Sequence, residues 1–196
     1  HSSSAASDVY KRQKLNKEDK NILSKATQTI VKQVNALKIM VNEFADYARS
    51  VKIEKKLINV DLLIRNIMDL YEAVDVQIKY KNTIQNLIVC GDENKLRQVI
   101  INLIENAKDA LVKINNPNII IIIKKEKNKL ILQVEDNGVG VPKDIISKIF
   151  EPYVTSKSNG TGLGLPIVLK IIDEHNGTIT ICLLYTSPSP RDRVQS

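Results

Sequence analysis

The residue types best suited to chemistry lie in the second half of the chain. An acidic side chain enters a glycine-flanked turn, Asp136-Asn137-Gly138-Val139-Gly140. Phe150-Glu151-Pro152-Tyr153-Val154-Thr155-Ser156-Lys157 follows, and then a second glycine run, Gly160-Thr161-Gly162-Leu163-Gly164-Leu165, opens a helix. A site of this kind holds a nucleotide by its base at one end and its phosphates at the other, which predicts ATP as the ligand. Upstream, Asn102, Glu105, Asn106 and Asp109 fall in one polar sector of a helix at about 100° per residue. Two asparagines at i and i+4 offer neutral carbonyl oxygens of the kind that complete the shell of Mg²⁺, whose other ligands are waters and substrate phosphates. Taken alone, the pair reads better as a solvated face. Asp136 and the two glycine runs that follow favour the ligand reading.

These residues need elements to position them. The helix runs from about Glu93 to Leu111, with Leu96, Ile100, Leu103, Ile104, Ala107 and Leu111 as its apolar stripe, and Asn115-Asn116-Pro117-Asn118 ends it. Ile119–Lys125 and Leu130–Asp136 read as a hairpin around Lys127-Asn128 that delivers Asp136 at its end. Further helices are predicted near Lys143–Phe150 and Gly162–His175, then a turn at Asn176-Gly177 and a strand over Thr178–Cys182. Ahead of all these, Asp61 is the expected cap of a helix carrying Leu63, Ile67, Leu70 and Val74, followed by strands at Val76–Tyr80 and Leu87–Cys90. Helices and strands mixed without a strict βαβ repeat predict an α/β (α+β) two-layer sandwich, one sheet covered by helices on one face.

A different pattern precedes it. Leu23, Thr27, Ile30, Val34, Leu37, Val41, Phe44, Ala48 and Val51 alternate steps of four and three. That spacing is a seam made for another helix, in a coiled coil or four-helix bundle. The expected organisation is thus a lead over 1–13, a helical segment over 14–54 whose seam is made for another helix, an α/β domain over 55–182 and a tail over 183–196.

Composition excludes several classes. A chain of 196 residues with 43% hydrophobic content suits one core plus a smaller appendage. No apolar run reaches the roughly 18 residues that span a bilayer, and the sequence reads as cytosolic. Cys90 and Cys182 lie in apolar runs without CxxC or histidine spacing and read as buried free thiols. The formal charge of +7 is mostly lysine scattered among Ile and Asn, in the manner of an AT-rich coding bias. It lacks the arginine stripe and aromatic interleaving of a nucleic-acid site.

Leu96 to Ala110, the Asp136–Gly140 turn, Phe150–Lys157 and Gly160–Leu165 resemble, in order and spacing, the N, G1, F and G2 boxes of sensor histidine kinases. The resemblance covers roughly residues 55 to 182. The Glu151–Lys157 form, with Asn35–Ser50, is similar to the nitrogen-regulation kinases of the NtrY and NtrB type. The resemblance implies a Bergerat-type ATP-binding fold, and no GxxxxGK[ST] loop is present. It implies that Asp136 accepts from the adenine amino group, with Gly138 and Gly140 letting backbone approach the base. By the same resemblance Asn106 would bind Mg²⁺, with Asn102 near the metal's water and phosphate shell and Asp109 among the nucleotide-binding residues. Glu105 orients a water or the acceptor, so that Glu105 and Asn102 are the catalytic candidates. Phe150 and Tyr153 anchor the ATP lid by packing, and Lys157 reaches the β and γ phosphates. Gly160, Thr161, Gly162, Leu163 and Gly164 bring backbone N–H groups to phosphate oxygens at a helix start that tolerates Pro166.

The implied function is transfer of the ATP γ-phosphoryl group to a histidine on an upstream helix, and thence to an aspartate on a response-regulator receiver domain. The full-length protein is implied to be a homodimer through its helical hairpin, with membrane anchoring only through upstream segments. Another ATPase of the same fold, such as an anti-sigma serine kinase or a MutL-like protein, and a non-catalytic nucleotide-binding dimerisation module are the alternatives.

Two features depart from the family. His1 and His175 are the only histidines. His175 ends a helix of the ATP domain, where capping or packing is expected of it, so this chain is expected to bind ATP without phosphorylating itself. Asp8–Gln13 and Leu183–Arg193 resemble adaptor or vector translations joined to a gene fragment.

Overall fold

A computed structural model describes residues 17–48, 53–72, 76–127, 129–157 and 160–182. The chain forms two compact units, His1–Ala48 and Arg49–Ser196.

The first unit is one helix, α1 (Lys17–Ala48). Its seam stands open: Ile30, Val34, Leu37, Val41 and Phe44 are each half or more exposed. Thr27, the polar step in that seam, donates its hydroxyl to the Leu23 carbonyl at 2.8 Å. The expected end of the seam at Val51 lies outside the described residues. Among those residues no helix is long and apolar enough to cross a membrane.

The second unit mixes helix and sheet, as expected, with the sheet in two pieces. Strand β1 (Lys56–Asn59), which sequence patterning missed, pairs antiparallel with β3 (Ile88–Gly91). Strand β2 (Gln77–Asn82) pairs parallel with β4 (Asn118–Glu126), which pairs antiparallel with β5 (Lys129–Asp136). The β-branched run in β4 alternates across the sheet. Ile119, Ile121 and Ile123 are buried under the helices, each contributing about 2 kcal/mol of apolar burial.

Helix α2 (Val60–Met68) buries Leu63, Ile64 and Ile67, while α3 (Glu93–Ala110) buries Val99, Ile100, Ile104 and Ala107. Helix α4 (Gly164–Glu174) lies against α3 through Ile167, Val168 and Ile171. Its C-terminus closes as a Schellman motif: Asn176 is left-handed, Gly177 N–H donates to Ile172 O, and Asn176 N–H donates to Asp173 O.

Several expectations need correction. Asn59, not Asp61, caps α2: its Oδ1 accepts from Leu62 N–H at 3.1 Å. Asp61 instead turns toward β2, accepting from Arg65 Nε, the Tyr80 hydroxyl and Asn82 Nδ2. The bond from the Arg65 guanidinium, aided by those from Asn82 and Tyr80, draws its carboxyl down to about 2. Leu70 is exposed because α2 tightens into a 3₁₀ turn at Asp69–Tyr71, and Val74 lies outside the described residues.

The helix expected over Lys143–Phe150 is only a 3₁₀ turn, Ile146–Lys148. Pro142 and Pro152 bracket a segment too short and too rich in isoleucine to propagate a helix. Thr178–Cys182 forms no strand: Ile181 and Cys182 are exposed, and no ladder partner holds its backbone among the described residues. Both cysteines are exposed, not buried. In β3 the alternation turns Val89 and Gly91 inward and Cys90 out. The tail proposed from 183 onward lies outside the described residues.

Candidate functional site

Helix α3 is the spine of the site. Asp92 caps it, accepting from Lys95 N–H at 3.2 Å, and its carboxylate also accepts from Glu54 N–H. Burial opposes ionisation of this carboxyl, yet those backbone donors, with Asn94, hold it below its ordinary value. Along the helix, Asn102, Asn106 and Asp109 share a face at i, i+4 and i+7.

That face receives the start of α4. Asn102 Nδ2 donates to Gly164 O at 3.4 Å, and a side chain at Gly164 would meet Asn106 Nδ2 at 3.9 Å. The N-cap of α4 is Leu163, fully buried and offering no side-chain acceptor to the first turn. The first-turn amides of α4 therefore start beside the asparagine pair without a capping oxygen, an arrangement suited to anions. Lys157 reaches the same face: its ammonium donates to Asn106 Oδ1 at 2.8 Å and Asp109 Oδ2 at 2.6 Å. The structure thus brings Asn102, Asn106, Asp109, Lys157 and Gly164 together.

Lys157 hangs on a loop closed at its stem. Tyr153 N–H donates to Gly162 O at 3.1 Å, and Gly162 has φ +69°. A side chain at Gly162 would come within 2.6–2.8 Å of the backbone of Tyr153 and Val154, so only glycine fits. Thr155 Oγ1 accepts from Lys157 N–H, Thr161 Oγ1 accepts from Leu163 N–H, and Gly160 N–H donates to Lys157 O. Phe150 is half-buried, but Tyr153 is 60% exposed and does not anchor the loop by packing as expected. With a left-handed backbone at φ +66°, its contribution to the stem is the main-chain bond.

The other end of the site lies one turn further along α3, about 6 Å from Asn106. Asp136 Oδ1 accepts from Gly138 N–H at 2.8 Å, and Val139 N–H donates to Ala110 O at 3.1 Å. Gly138 lies against the end of the helix, where an added Cβ would stand 2.6 Å from Ala110 O and 2.7 Å from Ala110 Cβ. Its role is therefore close packing of turn on helix, whereas Gly140, at φ +71°, faces open space. Asn137, which the sequence reading passed over, clips the turn down: Oδ1 accepts from Asn118 N–H at 2.8 Å and Nδ2 donates to Asn116 O at 3.1 Å.

Glu105 does not join this group. It accepts from the Tyr71 hydroxyl at 2.8 Å and from Lys108 Nζ at 2.9 Å, with the Lys108 ammonium 5.0 Å from the Tyr71 ring centre. Burial, and then the Glu105 bond, push the Tyr71 hydroxyl well above its ordinary value. An open groove of about 900 Å³ between α2 and β2, lined by Arg65, Tyr71 and Tyr80 among others, shares no residue with the α3 row.

Among the described residues no cluster of three or more His, Cys, Asp or Glu side chains could enclose a metal. The donor set fits Mg²⁺ all the same. Asn106 Oδ1 and Asp109 Oδ2 already converge on a cation in the Lys157 ammonium, and Mg²⁺ takes few protein oxygens when phosphates supply the rest.

Comparison with known proteins gives the family. The family described as histidine kinase-, DNA gyrase B-, and HSP90-like ATPase matches residues 91–195. Sporulation kinase B of Bacillus subtilis is 31% identical over 77% of the chain, and a putative NtrY-like sensor histidine kinase of Rickettsia bellii is 35% identical over 78%. The chain spans 36% and 25% of these relatives' lengths. Their similar identities do not single out the nitrogen-regulation subgroup. Among solved structures, the catalytic domain of histidine kinase ThkA superposes with TM-score 0.55 at 33% identity, covering 62% of this chain and 81% of that one. ThkA in complex with response regulator protein TrrA gives TM-score 0.64 at 28% identity, covering 79% and 45%.

Proposed function

The chain belongs to the histidine kinase-, DNA gyrase B-, and HSP90-like ATPases and carries the catalytic domain of a histidine kinase; from that premise we propose how it handles ATP. Asp136, at the end of β5, accepts from the adenine amino group, and the Gly138–Gly140 turn gives the base room. Asn106 is the magnesium ligand, with Asn102 and Asp109 in the surrounding water and phosphate shell. Bound Mg²⁺ would neutralise charge on the phosphates. Gly164 and Leu165 offer first-turn amides of α4 to phosphate oxygens, with the helix dipole behind them. Residues 55–182 form the nucleotide domain in this reading, and 14–54 part of a helical dimerisation segment.

The observation that carries the reading is the convergence of Lys157, Asn106 and Asp109 beside the uncapped start of α4. A lysine held by two partly exposed oxygens is only weakly retained, since ion pairs of this exposure are worth about 0–1 kcal/mol. Its ammonium can therefore leave Asn106 for a phosphate at little cost. Phosphoryl transfer asks the protein mainly for positioning and charge stabilisation, which this face supplies. The acceptor in the whole protein is a histidine on an upstream helix, and the next acceptor is a response-regulator aspartate. The complex of ThkA with a response regulator supports that class of partner. The open seam of α1 supports a helical partner in a homodimer. Glu105, held by Tyr71 and Lys108, is proposed only to steady this part of α3. His175 is not expected to be phosphorylated in this chain, since its ring nitrogens are engaged within the fold.

The test is Asp136→Asn. Loss of a charge-assisted hydrogen bond costs roughly 1.5–3 kcal/mol, so calorimetry should show ATP affinity falling by about tenfold or more while GTP affinity changes less. Unchanged ATP affinity would refute the base-pocket assignment.

A further inference from the structure

His175 is the C-cap of α4, and its imidazole spans the junction between two helices. Nδ1 lies 2.8 Å from Ile171 O, a backbone acceptor, and Nε2 lies 3.0 Å from Asp92 N, a backbone donor. Backbone roles are fixed, so one neutral tautomer serves both bonds: Nδ1–H donates and Nε2 accepts. Asp92 is the N-cap of α3. The ring therefore ties the end of α4 to the start of α3, across 83 residues of sequence. Gly91 makes room for it, since a Cβ there would stand 3.1 Å from His175 Cδ2, 3.2 Å from Nε2 and 3.0 Å from Leu96 Cδ1.

The two helices are antiparallel, and the opposite end of the pair is the phosphate end of the site. From Asp92 to Asn102 the chain rises about 15 Å along α3, and from Gly164 to His175 about 16 Å along α4. The bond at Asp92 and the Asn102–Gly164 contact are thus matched ends of one strut. Between them α4 is gripped by Ile167, Val168 and Ile171, whose packing sets the register of the two helices and tolerates only small slides along the axis. The shorter hydrogen bond, at the Asp92 end, narrows those small slides before the longer Asn102–Gly164 contact is made.

We propose that His175 is a positioning residue for nucleotide phosphates: its acceptor bond from Asp92 sets where the α4 N-terminus stands against Asn102 and Asn106. The proposal rests on the ATP reading above. It predicts a split within the nucleotide. Asp136 ends β5, Gly138 lies in the turn after it, and their seat on Ala110 is the end of α3, so base recognition should not depend on α4 register.

The experiment uses the 196-residue chain with His175→Asn and His175→Gln. An asparagine amide reaches only the place of Nδ1 and cannot accept from Asp92, whereas a glutamine amide reaches the place of Nε2. Affinities for Mg²⁺–ATP and for adenosine are measured by calorimetry and NMR titration, with helix content followed by circular dichroism. His175→Asn should lose about five- to tenfold in Mg²⁺–ATP affinity and stay within about twofold for adenosine, with helix content retained. His175→Gln should stay near wild type for both ligands. Undiminished Mg²⁺–ATP binding in His175→Asn overturns the proposal. Equal loss of both ligands does so too, because it marks a general folding contact, and so does a glutamine variant as impaired as the asparagine one. Failure of the wild-type chain to bind ATP would instead overturn the function from which the proposal starts.

Discussion

Gly138→Ala tests the seating on α3 of the turn proposed to recognise the base. Gly138 does not adopt a left-handed φ, so the cost of a methyl group there is steric. The new carbon would stand 2.6 Å from Ala110 O, 2.7 Å from Ala110 Cβ and 2.7 Å from Asp136 Oδ1. Ordinary carbon contacts sit near 3.5 Å, so the turn must lift by roughly 0.8 Å. Two of the three neighbours belong to the last helical residue of α3 and cannot swing away as a flexible side chain would. Lifting stretches the Val139 N–H bond to Ala110 O and turns Asp136 off Gly138 N–H. Overpacking of this kind costs about 1–3 kcal/mol and weakening the two bonds about 1 kcal/mol together, which places the substitution at roughly 2–4 kcal/mol. Urea unfolding followed by circular dichroism should show the midpoint falling by about 1–2 M. Calorimetry should show ATP affinity falling with it, because Asp136 moves. Gly140→Ala is the control: it meets no neighbour within 4 Å and bears only the strain of φ +71°, about 1–2 kcal/mol. If Gly138→Ala proves no more destabilising than Gly140→Ala, the close-packing account of this turn is wrong.

Asn106→Ala should lower nucleotide affinity about tenfold more in Mg²⁺ than in EDTA, because the side-chain oxygen is assigned to the metal; equal losses in both conditions would mark a folding defect instead. Asp61→Asn should flatten the acid limb of stability. The folded carboxyl titrates near 2 against 3.8 unperturbed, so its contribution is complete above pH 3.8 and disappears as pH falls through 2. Allowing for the exposed Arg65 partner, wild type should lose about 1–2 kcal/mol more than the variant across that interval in urea titrations, and parallel curves would count against the Asp61 cluster.

Elements with a long local signal were legible. The Glu93–Ala110 helix shows its apolar stripe over several turns, and the β4–β5 hairpin announces itself through an isoleucine run and a polar turn. What failed depended on partners remote in sequence. Asn59 and Asp61 are both acceptable caps, and the choice fell to Asn59 because Arg65, Tyr80 and Asn82 draw Asp61 toward β2. Thr178–Cys182 has strand-like composition, but a strand exists only with a neighbour, and alternation cannot supply one. Within the site, helical spacing placed Asn102, Asn106 and Asp109 correctly on one face. The same spacing put Glu105 among them, but it is engaged by Lys108 on its own helix and by Tyr71, 34 residues away. Asn137 could have been suspected from the Asn-Gly pair, but its anchor at Asn116 and Asn118 depends on the hairpin being closed.

The clip made by Asn137 changes what kind of object the hairpin is. A hairpin ordinarily has a closed end at its turn and an open end that frays. Here the open end is sewn by three bonds: Asn137 N–H to Asn118 O, Asn118 N–H to Asn137 Oδ1, and Asn137 Nδ2 to Asn116 O. The two strands behave as a ring, and Asp136 stands on a part of it that would otherwise be among the first to open. The conformational freedom of that carboxylate is surrendered when the domain folds and not again when a base arrives. On the proposed assignment of Asp136 to the base, recognition at this turn is preorganised, and the entropy of ordering it does not subtract from affinity.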